Sequence, residues 1–91
     1  MHVIAVHDIR DPEAFGAAAG EAIAGIPEGM KLHSMFPSED GWRAVCVWEA
    51  GAIVDVRSFV DSVTGDLSRG ELFPVVDAQA IGLSQATPAT A

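Results

Sequence analysis

The chain has 91 residues, 49% of them hydrophobic, and carries a formal net charge of −8 from five basic and thirteen acidic side chains. That length holds one domain with a thin core, and so acidic a balance excludes a phosphate-reading surface, so neither nucleic acid nor a membrane is expected as a partner. A single cysteine, Cys46, cannot form an internal disulfide, and Met1-His2-Val3-Ile4 lacks the basic start of a signal peptide. A cytoplasmic protein is expected.

Taken in chain order, His2 to His7 is a short apolar run that reads as a strand. Asp11-Pro12-Glu13 follows, with a capping side chain, a proline suited to a first helical turn and an acid that complements the helix dipole. Phe15, Ala18, Ala19, Ala22, Ile23 and Ile26 then recur at helical spacing. Gly16 and Gly20 either weaken this helix or let it approach a sheet, and Gly25 and Pro27 end it. Met30 to Pro37 and Trp42 to Glu49 read as two strands joined by a turn at Ser38-Glu39-Asp40-Gly41. After Ala50-Gly51 a second helix carries the stripe Ile53, Val56, Phe59, Val60, Val63 and breaks at Thr64-Gly65-Asp66. Leu67 to Gly70 reads as irregular. Glu71 to Asp77 is the last strand, with Pro74 marking it as an edge.

The order β-α-β-β-α-β predicts an α+β, ferredoxin-like fold, a four-stranded antiparallel sheet with both helices on one face. Residues 1–83 form that domain, and 84–91 are expected to be a disordered tail. A four-residue hairpin turn would set Met35 opposite Ala44 and His33 opposite Cys46. Alternation then divides the sheet into two sets. Leu32, Ser34, Phe36, Val45, Val47, Ile4 and Val6 are assigned to the helix side. Lys31, His33, Met35, Trp42, Ala44, Cys46, Trp48, Val3, Ala5 and His7 are assigned to the open face. The second set mixes large apolar groups with polar ones, as a pocket floor does. An open face with Trp48, Met35 and Val3 on it needs cover, and a second copy supplies it.

Each polar residue of that set has a plain reading and a chemical one. His7 is a strand-end histidine bonded to a loop, or a metal ligand or general base. His33 is an edge residue at a contact, or a ligand beside Cys46. Cys46, flanked by valines with no cation beside it in sequence, is a small hydrophobe or a soft ligand. Trp48 and Met35 are interface or the wall of a ligand site. Glu49 orients His7 or complements the second helix.

Two segments add a resemblance. Ala5-Val6-His7, and Val45-Cys46-Val47-Trp48-Glu49-Ala50 with its Cys-x-x-Glu-Ala ending, look like the small nickel-binding domain family of the DUF4242 type. The element order over residues 2–77 is similar to the wider dimeric α/β-barrel superfamily, which includes small monooxygenases, haem-degrading enzymes and lactone isomerases. That likeness implies a dimeric α/β barrel and a divalent metal, nickel or zinc, and in the register above His7, His33 and Cys46 would hold it. The chain departs from the nickel-binding pattern in its second helix, where Phe59-Val60-Asp61-Ser62 stands in place of a histidine. With no histidine in a predicted helix, haem is not expected, and no fingerprint for flavin or nucleotide is present.

The expected function is therefore a small homodimeric binding protein holding a small molecule or divalent metal in a cleft on the open sheet face. His33, Trp48, Met35 and Cys46 would contact the ligand. The alternative is a cofactor-free enzyme of monooxygenase, isomerase or cyclase type with His7 as its general base. In a third reading the open face only joins copies.

Overall fold

A computed structural model describes residues 1–83; the expected tail, 84–91, lies outside them. The elements are β1 (His2–Ile9), α1 (Pro12–Ile23), β2 (Lys31–Pro37), β3 (Arg43–Glu49), α2 (Ile53–Thr64) and β4 (Ser68–Pro74), then a 3-10 turn at Asp77–Gln79. The sheet is antiparallel with order β2-β3-β1-β4. This is the ferredoxin-like α+β fold, and β4 is an edge strand, which accommodates Pro74 at its last position.

Local chemistry starts α1 as expected. The Asp11 carboxylate accepts from the Ala14 amide at 3.1 Å, and Pro12 takes the first turn. At Gly16 and Gly20 an added Cβ would meet nothing within 4 Å. These glycines therefore serve no close approach to the sheet and only weaken the helix. Only Phe15 of α1 is buried, so the helix lies loosely on the sheet. α2 has no side-chain cap but buries Val56, Val60 and Thr64.

Several boundaries differ from the sequence reading, and β4 ends at Pro74 rather than Asp77. β4 begins at Ser68, not Glu71, because β1 runs on to Ile9 and Ser68, Arg69 and Gly70 pair with Ile9, Asp8 and His7. The hairpin register differs too: the six residues Ser38 to Arg43 separate the first pair, so Pro37 pairs with Ala44 and Met35 with Cys46, and farther along a bulge between Leu32 and Ser34 takes His33 out of the ladder. The turn is closed by Ser38 N–H donating to the Arg43 carbonyl at 2.7 Å. Within it the Asp40 carboxylate accepts from the Trp42 amide and the Ser38 hydroxyl, bonds that hold its pKa below the ordinary value. Gly41, at φ 84°, makes the left-handed step of that turn against Pro12.

The larger correction concerns sidedness. Val3, Ala5, His7, Ala44, Cys46 and Trp48 do share a face, but it is the face under the helices. Met35 joins them there, packed against the core. The open face instead carries Ile4, Val6, Ser34, Phe36, Val45, Val47 and Phe73. Alternation fixes which residues go together and not which side the helices choose. Trp48 is thus a core residue edge-on to Phe59, with ring centroids 5.8 Å apart, and not an interface residue. Trp42 stands half-exposed at the hairpin.

Candidate functional site

α1 turns Ala19 and Ala22 toward the sheet, side chains too small to fill the space beneath it. A cavity of about 40 Å³ results. Its roof is Phe15, Ala19, Ala22 and Ile23 of α1, with Ile26 just beyond; α2 contributes Phe59, Val60, Val63 and Thr64. The floor is His7, Leu32, Met35, Cys46 and Trp48 of the sheet. A cleft was expected on the open face; this cavity lies on the opposite side of the sheet, under the helices.

Polar groups interrupt this apolar lining. His7 is 2% exposed, stacked at a tilt on Phe15 with centroids 5.3 Å apart. Its Nδ1 lies 3.2 Å from Ser68 Oγ, and the Ser68 hydroxyl donates to the Thr64 carbonyl at 3.3 Å. Since Ser68 spends its proton on that carbonyl, it accepts from His7, which sets the proton on Nδ1. Nε2 is left with a free lone pair and no hydrogen-bond partner among the described residues. Burial, and then the Arg57 guanidinium, hold the His7 pKa below its ordinary value, so the ring is neutral at pH 7. The second group is the indole N–H of Trp48, buried with no partner. An unpaired buried donor costs about 1–3 kcal/mol. Cys46, the third polar side chain of the floor, has its thiol pushed up to about 11 by burial. It is a neutral lining group rather than a thiolate.

His33 sits on the other side of the sheet. Its Nε2 is 2.7 Å from Glu49 Oε1, and its ring lies 5.3 Å from that of His2. His7, His33 and Cys46 therefore do not converge: two are inside and one is outside. Glu49 does not touch His7 but serves His33, which with burial-opposed ionic partners keeps its carboxyl below the usual range. His2 is buried beside Glu49 on the open side. The sequence reading also missed Phe15 and Thr64 as cavity residues and Ser68 as the partner of His7. The first two could have been found from their helical stripes, whereas Ser68 lay in a stretch with no strand signal.

No family model and no curated protein matches the chain. Among solved structures the fold is shared with Rv0793 from Mycobacterium tuberculosis, at TM-score 0.56 and 13% identity over 87% of this chain and 98% of that one. It is also shared with a candidate antibiotic biosynthesis monooxygenase from Nitrosomonas europaea, at TM-score 0.51 and 17% identity over 84% of this chain and 99% of that one. At such identities the likeness establishes the ferredoxin-like fold.

Proposed function

We propose that the chain binds a small, flat, mostly apolar molecule in the cavity beneath α1. The ligand would bear an oxygen that accepts from the Trp48 indole N–H and an acidic hydrogen that meets His7 Nε2. The observation that supports this reading is a buried indole donor without a partner, Trp48 Nε1–H, beside a buried imidazole, His7, whose Nε2 makes no hydrogen bond among the described residues, in an otherwise apolar lining. A neutral imidazole whose tautomer is fixed by Ser68 is ready to accept a proton, and Trp48 is ready to donate a hydrogen bond. Binding sites for small molecules usually enclose about 300–1,000 Å³, so the ligand must lift α1. Little opposes that movement, because α1 buries only Phe15.

The same two groups favour a second reading, a cofactor-free enzyme in which His7 Nε2 removes a proton from the bound molecule while Trp48 stabilises the oxygen that gains charge. The Nitrosomonas europaea neighbour lends that reading its reaction type by analogy of fold alone. A third proposal concerns assembly. Phe36 is 63% exposed and Phe73 44%, beside Val45, Val47, Ile4 and Val6 on the same uncovered face. A second copy presenting the same face buries this patch in a two-fold contact.

The ligand reading is tested with 1-naphthol, a flat apolar ring carrying one acidic hydroxyl. In a Trp42→Phe background only Trp48 fluoresces. The expected result is saturable quenching that Ala19→Leu, which fills the cavity, abolishes. Trp48 quenching that never saturates, or that survives Ala19→Leu, rejects the cavity as the site.

A further inference from the structure

The strands bring a second group of chemistry-bearing side chains together on the open side, at the end of the sheet away from the hairpin turn. β1 begins with His2, β3 ends with Glu49, and the two are paired in register. The β2 bulge frees His33 from the ladder, and its ring turns to the same spot. One ligand atom from each of the three lies within 4.8 Å of the others. His2 Nε2 is 3.9 Å and His33 Nε2 2.7 Å from Glu49 Oε1.

The observation that singles out this cluster is His2. It is only 4% exposed, and neither ring nitrogen makes a hydrogen bond. Its Nδ1 does lie 3.0 Å from Asp77 Oδ2, off the line of a hydrogen bond, at the 3-10 turn that closes over the strand end. A buried imidazole without partners is expensive, and a cation against Nε2 would satisfy it. We propose that His2, His33 and Glu49 form a binding site for a single first-row divalent cation, with Asp77 positioning the His2 ring.

The donor set fits such an ion. Two imidazole nitrogens and one carboxylate oxygen suit borderline metals such as Zn²⁺ or Co²⁺ better than Mg²⁺ or Ca²⁺, which prefer all-oxygen shells. Metal bonds to these ligands are about 2.0–2.2 Å, so neighbouring donor atoms in a tetrahedral shell lie about 3.3–3.5 Å apart. His33 and Glu49 must then separate slightly from 2.7 Å while His2 and Glu49 close from 3.9 Å. The hydrogen that His33 Nε2 donates to Glu49 Oε1 must leave that nitrogen as the ion enters, and a neutral ring keeps it by carrying it on Nδ1 instead. Asp77 beside Nδ1 has the place of the outer carboxylate that orients a metal-bound histidine. A net charge of −8 adds a general attraction for cations. This site lies across the sheet from the cavity and is independent of any ligand there.

The test is a Co²⁺ titration of untagged full-length protein, followed by visible absorption and calorimetry, then displacement by Zn²⁺. One ion per chain is expected, with the d–d bands of a low-coordinate site. His33→Ala and Glu49→Gln should each weaken binding by more than tenfold, and Asp77→Asn by about tenfold. Both ligand side chains are partly exposed, so these variants keep the core intact, and far-UV circular dichroism verifies it. His7→Gln and Cys46→Ser should leave the affinity unchanged. An absence of stoichiometric binding, or binding that His33→Ala and Glu49→Gln do not weaken, overturns the proposal. Loss of binding in His7→Gln or Cys46→Ser would move the site to the interior and overturn it equally.

Discussion

At the scale of single residues, the molecule's most consequential choice is to bury His7 neutral. An unfolded histidine takes a proton near 6.5, whereas folded His7 resists protonation until lower pH. Between those values the unfolded chain binds more protons, so stability is flat above about pH 7 and falls as pH drops through 6.5. Thermal melts from pH 7.5 to 5 should show this fall, and His7→Gln should flatten it. The carboxylates Glu49 and Asp77, whose pKa values are lowered by His33 and His2 respectively, lose their contribution only at more acid pH, below about 4.5 and 3.8. A slope between pH 7 and 5 that His7→Gln leaves unchanged would show that another group carries it. Trp48→Phe keeps a ring against Phe59 but removes the orphan donor, so in the proposed site it should weaken an oxygen-bearing ligand by about 1 kcal/mol, roughly fivefold. Isothermal titration with 1-naphthol measures that difference directly.

At the scale of elements, α1 is the weak member of the fold. Its two glycines sit exposed in the helix with open space where a Cβ would go. Gly16→Ala and Gly20→Ala should each stabilise the chain by about 0.5–1 kcal/mol, read from denaturant midpoints. Gly41→Ala should do the opposite, because φ 84° disfavours a side chain and its Cβ would crowd Pro12 at 3.2 Å. Amide exchange should be faster along α1 than along α2, β1 or β3, because little of α1 is buried. Sequence sets both properties: Ala19 and Ala22 leave space beneath the helix, and its exposed glycines weaken it. A stabilised Gly16→Ala, Gly20→Ala helix should then admit ligand more slowly, as stopped-flow fluorescence would reveal.

The elements also show what could be read from the chain alone. Asp11-Pro12 marked the start of α1, the stripe of α2 was visible, and Pro74 pointed to an edge. Period-two alternation grouped Val3, Ala5, His7, Cys46 and Trp48 correctly. Their side of the sheet was not legible, for two physical reasons. Both faces are apolar enough to be buried, and His7 looked polar when its partners, Ser68 and through it Thr64, lay in segments with no strand signal. The hairpin connection is six residues rather than four and the bulge at His33 has no marker residue, so neither the register nor the side taken by His33 could be read.

At the scale of the whole molecule, a thin domain divides its chemistry between two sides of one sheet. Beneath the helices lies an apolar chamber with a fixed base and a free donor. On the other side lies an apolar patch with a histidine–carboxylate cluster at its edge. If a second copy covers that patch, Val45→Asp should convert the dimer to monomers in sedimentation velocity without unfolding it, since Val45 is already a third exposed. A wild-type chain that stays monomeric at high micromolar concentration would remove the assembly from the account. The ligand chamber belongs to each copy separately and would survive that result.

The measurement closest to the centre of the account is the Trp48 indole N–H resonance in a ¹H–¹⁵N spectrum during titration with 1-naphthol. The account predicts a saturable downfield shift of that resonance, with amide shifts concentrated in α1 and around His7. Shifts confined to Phe36, Val45 and Phe73, with the Trp48 signal unmoved at saturation, would contradict it.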